Sequence, residues 1–216
     1  MDNDPVVTLT ELLNEEKWTR ATLSNYIIKN FTDLDAIIEE TKTRGKLTEI
    51  RTLCADHLKH TPNSIIALYV IGKINFEEEA LDEGHIQKLI NLFLDNKRNN
   101  IVEFLAKETL KYGENKYALE ALSQCMSHEN REKELVGVWE RLVKIDYDET
   151  DIVKKLAAIK EKEGKTEEAV DYYKKALFRY LKKGIYNPVE EIWLKLIELI
   201  PEDLNFFVNT EKRIAD

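Results

Sequence analysis

The side chains able to do chemistry fall into a few small groups. Cys54, His57 and His60 stand at i, i+3 and i+6, and Cys125 and His128 at i, i+3. Thiolate and imidazole are the usual zinc ligands, and a site needs four of them, or three and a water. On one helix Cys54 and His60 lie far apart around the axis, so three-point ligation is strained, and no second Cys/His pair stands at finger spacing. Each group reads as a buried thiol beside a surface imidazole. Gly164-Lys165-Thr166 resembles the end of a phosphate loop but lacks the upstream glycine and the preceding strand, and reads as a turn. Glu77, Glu78, Glu79, Asp82 and Glu83 crowd one segment. Their carboxylates suit Mg²⁺ or Ca²⁺, yet their order departs from a calcium loop, and the run reads as a solvated connection. The pairs Glu39-Glu40 and Glu167-Glu168 read as ordinary wet helix faces. No Ser or Cys sits in a recognisable nucleophile motif. The sequence thus predicts no catalytic, cofactor or metal site.

The elements that carry these residues are helices. Leu34, Ile37 and Ile38 make one apolar stripe within 33–42, and Leu47, Ile50, Leu53, Cys54 and Leu58 make another. Gly45 ends the first, and Pro62 stops the second because proline cannot continue the hydrogen-bond ladder. Leu9, Leu12, Leu13 and Trp18 suggest a short opening helix. Further helices are predicted at 65–77, capped by Asn63 or Ser64, and at 86–94, 101–112, 117–126, 135–145 and 152–163. Thr166 starts another, running to about 181. Asn187-Pro188 signals a cap followed by proline at the first helical position, and Pro201 opens a last helix through 213. Seven glycines and four prolines leave few punctuated turns, which favours about a dozen helices over many short strands.

The helices repeat. A tetratricopeptide unit is about 34 residues of helix, turn, helix. With Phe31 as position one, Gly45 falls at the turn, Leu58 in the second helix and Pro62 at the terminal proline. One period later, Ile71-Gly72 lands on the Leu-Gly pair, where close helix packing wants no side chain. A clearer unit begins near Thr150, with Gly164 at the turn and Ala169, Tyr173 and Ala176 at signature places. Between these units the register degrades. Trp139, Leu142, Val143 and Ile145 also echo Trp193, Leu196, Ile197 and Leu199 at a longer offset. In such a solenoid the first helix of each pair lines the concave side and meets an extended peptide or a partner helix. By that register Tyr69, Lys73 and Phe76 face inward from one unit, and Asp151 and Lys154 from another. The competing reading makes the aromatics core and the charges solvent-facing.

Composition narrows the partners. The chain has 216 residues, 43% hydrophobic and 34% charged, with a formal net charge of −9. Lys and Arg are mixed with Glu and Asp along nearly every helix, so no basic stripe predicts direct nucleic-acid binding, and a protein partner fits better. The longest apolar stretch, 65–71, is too short to span a bilayer. Residues 1–14 lack a signal-peptide layout. Two cysteines build no disulfide framework. A cytoplasmic monomer is expected.

Residues 12–26, Leu-Leu-Asn-Glu-Glu-Lys-Trp-Thr-Arg-Ala-Thr-Leu-Ser-Asn-Tyr, resemble the opening of an unusually long bacterial Gre factor. Similar likenesses lie at 139–147, 167–177 and 201–203. Gre factors are transcription elongation factors that help stalled RNA polymerase cleave its transcript. In the long form, a large helical region precedes the ordinary Gre part. The resemblance implies an accessory amino-terminal region acting with RNA polymerase, without the acidic coiled-coil tip that reaches the polymerase active site. Reaching about 45 Å takes about 30 residues per helix, and no helix pair here is that long. No catalytic residue is carried over.

The expectation is therefore an all-α, tetratricopeptide-like superhelix with degenerate repeats, a single domain over 1–216, serving as a non-catalytic protein-interaction domain. The alternatives are a general tetratricopeptide adaptor unrelated to transcription and a small helical metal protein or enzyme.

Overall fold

The computed structural model describes residues 4–78, 84–145 and 149–215, the last four of these by their backbone alone. Thirteen helices and no strand occur among the described residues. They form two compact units, 1–131 and 132–216.

The first unit opens with α1 (Pro5–Glu15) and the six-residue α2 (Arg20–Asn25). Pro5 stands at the start of α1, where its missing N–H costs nothing, and Asp4 Oδ1 accepts from Val6 N at 3.1 Å. The opening helix is shorter than its apolar residues suggest. Leu9 and Leu13 are buried, but Trp18 lies beyond the helix in the link to α2. Three helix pairs follow: α3 (Ile28–Thr43) with α4 (Leu47–His60), α5 (Ile65–Glu77) with α6 (Gly84–Asp95), and α7 (Asn99–Leu110) with α8 (Lys116–His128). Gly45 turns the first pair at φ +69°, a conformation that suits glycine.

Helix α5 is the axle of this unit. It packs against α1, α3, α4 and α6, and nearly all of 65–75 is buried, which is why its sequence is apolar all round rather than striped. Ser64 caps it, accepting from Ala67 N at 3.1 Å. Glu16, 49 residues before Ile65, adds a charged cap, accepting from Ile65 N at 2.9 Å and Ile66 N at 3.2 Å. Against α6 the helices meet at Gly72. A β-carbon there would lie 2.4 Å from Ile86 Cγ1, so the absent side chain is what lets the pair close.

The second unit comprises α9 (Glu132–Lys144), α10 (Thr150–Lys162), α11 (Thr166–Lys182), α12 (Asn187–Leu199) and α13 (Leu204–Ala215). The pair α10/α11 closes around Gly164 at φ +74°. Ala169, Tyr173 and Ala176, the places the repeat register marks, are buried, and Ala157 of α10, which the register did not mark, is buried with them, so small side chains bring the two helices together. Asn187 is the first residue of α12 rather than its cap, and α13 begins at Leu204, where Asp203 Oδ1 accepts from Phe206 N at 3.1 Å. Of the echoed residues, Leu142 and Leu196 are both buried, while Val143 is buried and Ile197 is 42% exposed.

The all-α, tetratricopeptide-like expectation is borne out. Paired helices carry the predicted turn glycines and crossing alanines, and α9 is left without a partner in the pair series. The longest helix among the described residues, α11, has 17 residues.

Candidate functional site

The first helices of successive pairs stand against one another, and their side chains record the repeat period. Tyr69 Oη donates to Asp35 Oδ1 at 2.8 Å, across 34 residues. Lys73 Nζ donates to Glu108 Oε2 at 3.2 Å, and Lys42 Nζ to Glu77 Oε2 at 3.0 Å, each across 35. In the second unit Lys195 Nζ reaches Glu161 Oε1 at 3.2 Å across 34 residues, and Lys154 pairs with Glu191 across 37. These are the rungs of a ladder between equivalent helices.

In the first unit the ladder runs α3–α5–α7 and gathers Tyr69, Lys73 and Phe76 at i, i+4 and i+7 of α5. Tyr69 is 1% exposed, its ring 4.7 Å from that of Phe31. Burial drives its phenol pKa up, and the Asp35 carboxylate pushes it further, so Tyr69 stays a neutral donor. Lys73 lies 3.5 Å from Asp35 and 3.2 Å from Glu108, its side chain only 12% exposed. Burial works against the ammonium, but Asp35, Tyr112 and Glu108 outweigh it and hold its pKa above the ordinary value. Phe76 stacks on Tyr112 with ring centroids 5.4 Å apart and planes 14° from parallel. Tyr112 is 44% exposed, so this aromatic pair is the part of the cluster that solvent meets. The gap enclosed by Tyr69, Lys73, Phe76 and Tyr112 is about 10 Å³, room for one water probe at most. That gap leaves no room for a small molecule.

In the second unit Asp151 and Lys154 lie one turn apart on α10. Asp151 accepts from Tyr180 Oη of α11, and Lys154 pairs with Glu191 of α12. Two turns on, Glu161 accepts from Tyr173 Oη at 2.7 Å and from Lys195. The hydrogen bond from Tyr173 is the largest influence holding the Glu161 carboxyl below its usual range. The result is a mixed-charge face whose groups are already partnered. Sequence reasoning missed the residues that complete both clusters: Asp35, Glu108 and Tyr112 in one, Glu161, Glu191 and Lys195 in the other. The signal was there in charges and tyrosines recurring 34 to 37 residues apart.

The remaining candidates do not assemble. Cys54 is buried in α4, and His57 is half-buried beside it with Nε2 shielded from solvent and unpartnered. Among the described residues no three His, Cys, Asp or Glu side chains converge as a metal set. Of the acidic run, Glu77 pairs with Lys42 and Glu78 with Arg51, while Glu79, Asp82 and Glu83 lie outside the described residues. No helix of the described residues is long and apolar enough to cross a membrane.

No family model matches the chain. A putative GreA-associated domains protein of Treponema pallidum is 42% identical over 194 residues, covering 90% of this chain and 29% of that protein. The transcription elongation factor GreA of Borreliella burgdorferi is 31% identical over 200 residues, covering 93% of this chain and 22% of that protein. The chain thus spans less than a third of the length of either curated relative. The resemblance to long Gre-type proteins is borne out over nine-tenths of the chain. Among solved structures, a MamA protein aligns over 83% of this chain and 97% of its own at 14% identity and a TM-score of 0.35. YrrB, described as a TPR protein with an unusual peptide-binding site, aligns over 91% of this chain and 98% of its own at 15% identity and a TM-score of 0.31. Those two likenesses are too slight to carry an argument about shape or ligand.

Proposed function

We propose that this chain is the helical protein-interaction region of a Gre-type transcription elongation factor, that it docks on RNA polymerase or a polymerase-associated protein, and that it catalyses nothing itself. The observation that carries this reading is the identity to two GreA-named proteins across nine-tenths of the chain. The repeat architecture supports it, since pairs of short helices generate broad faces and the ladder holds them rigid. On the first unit the contact residues are Phe76 and Lys73, with Tyr69 as the floor beneath them. On the second they are Asp151 and Lys154. The partner surface is protein: a net charge of −9 disfavours nucleic acid, and partnered side chains of both signs suit a mixed-charge protein face. The setting is the cytoplasm, and the chain acts as a monomer.

The test is a pull-down of the 216-residue chain with purified bacterial RNA polymerase at physiological salt. Saturable, salt-sensitive binding is expected. If this chain fails to bind while a longer chain carrying an ordinary Gre part binds, docking does not reside in these helices and the reading falls.

A further inference from the structure

A groove in the second unit, between the start of α9 and the end of α10, has a volume of about 690 Å³. Its floor is apolar: Leu135, Val136 and Trp139 from α9, with Ala158 and Ile159 from α10. Three exposed lysines ring it, Lys133 on α9 and Lys155 and Lys162 on α10. Lys155 Nζ stands 5.6 Å above the Trp139 ring, a cation–π contact that keeps the ammonium over the floor. None of these lysines forms an ion pair among the described residues, whereas Lys154 and Lys160, on the same helix, both do. Of the two carboxylates at the rim, Glu163 is engaged by Lys165 at 2.8 Å, which leaves Glu132 against three ammonium groups. An electropositive, apolar groove on a chain of net charge −9 is selective for its opposite.

We infer that this groove binds an acidic amphipathic helix of a partner protein. Apolar side chains of that helix lie on Trp139 and Ile159, and its carboxylates meet Lys133, Lys155 and Lys162. The spacing fits. Lys155 and Lys162 are two turns apart on α10, roughly 10 Å along the axis, and acidic residues at i and i+7 of a docked helix are separated by the same rise. A groove of several hundred cubic ångströms holds the two or three apolar anchors such a helix presents. A nucleic acid would meet the lysines and Trp139 but leave Leu135, Val136 and Ile159 without apolar partners. The inference stands apart from the polymerase reading, because it names the chemistry of an occupant for a different face.

The probes are two labelled synthetic helical peptides of about 15 residues, one built from Glu, Leu and Phe and one with every Glu replaced by Lys. Binding to the whole chain is read by fluorescence anisotropy at low and physiological salt, and mapped by amide chemical shifts. The acidic peptide is expected to bind at least tenfold more tightly than the basic one, to weaken as salt rises, and to shift amides within 132–139 and 155–163. The triple variant Lys133→Glu, Lys155→Glu, Lys162→Glu changes only exposed side chains, so its fold, checked by circular dichroism, should survive and its preference should reverse. Trp139→Ala should weaken both peptides. Equal binding of the two peptides, unchanged preference in the triple variant, or shifts confined to other helices would overturn the inference. So would a single-stranded RNA oligonucleotide that displaced the acidic peptide at lower concentration. No polymerase is present, so failure here leaves the polymerase reading untouched.

Discussion

Replacing Gly72 by alanine tests the close approach on which the α5/α6 pair depends. The new β-carbon would sit 2.4 Å from Ile86 Cγ1, 2.6 Å from Cδ1 and 3.3 Å from the Ile86 backbone nitrogen. Carbon atoms in contact prefer about 3.5–4.0 Å, so the isoleucine must retreat by about 1 Å, and at 4% exposure it has no open space to enter. Overpacking of this kind costs about 1–3 kcal/mol. Alanine recovers about 1 kcal/mol over glycine in a helix interior. The net expectation for Gly72→Ala is a loss of about 1 kcal/mol, which for a chain of this size lowers Tm by about 2–4 °C. The diagnostic comparison is the same substitution in an Ile86→Ala background, where Cγ1 and Cδ1 are gone. That background is itself destabilised by about 2–5 kcal/mol, but within it Gly72→Ala should stabilise by up to about 1 kcal/mol. The coupling between the two sites is then about 1–3 kcal/mol. Urea unfolding followed by far-ultraviolet circular dichroism measures each corner of the cycle as a midpoint shift. Stabilisation by Gly72→Ala in the otherwise unchanged chain, or a coupling below about 0.5 kcal/mol, would refute the claim that the missing side chain sets the helix separation.

Two other outcomes follow from charge and burial. Glu103 accepts from Arg131 through both oxygens, at 2.7 and 3.1 Å, and the hydrogen bond from Arg131, seconded by Lys107, holds its carboxyl down to about 2. A carboxyl depressed in the folded state contributes stability above its unfolded value and loses it as pH falls toward the folded one. Stability should therefore drop between about pH 4.5 and 2 more steeply in the natural chain than in Glu103→Gln. A matching acid slope in the two would contradict the assignment. Cys54 and Cys125 are both fully buried, and burial raises their thiol pKa to about 12 and about 11. At pH 8 a thiol-specific disulfide dye should label neither within minutes in the folded chain and both at once in denaturant. Rapid stoichiometric labelling of the folded chain would mean that α4 or α8 opens readily.

The features legible in the residue order were local. Apolar stripes at helical spacing located the elements, Gly45 and Gly164 marked turns that need a positive φ, and the spacing from Phe31 placed Gly72 where two helices touch. These signals act over a few residues or over one repeat, so one chain displays them. The likeness to long Gre proteins was legible for the same reason, because runs such as 12–26 are contiguous. Helix α2 escaped notice: six residues with one buried leucine carry no period. Trp18 was drawn into α1 by its hydrophobicity, although the helix had already ended. Which long-range partner each side chain meets was set by the packing of the folded chain. It buried Tyr69 against Phe31, neutralised Lys73 between carboxylates 38 residues before it and 35 after, and sent Glu16 to cap a helix 49 residues away. It also left Lys133, Lys155 and Lys162 around one apolar groove without ion pairs among the described residues, while Lys154 and Lys160 found partners. A lysine's sequence context is nearly the same in either case. The partner is supplied by whichever helix packs alongside, and that is fixed by the core as a whole.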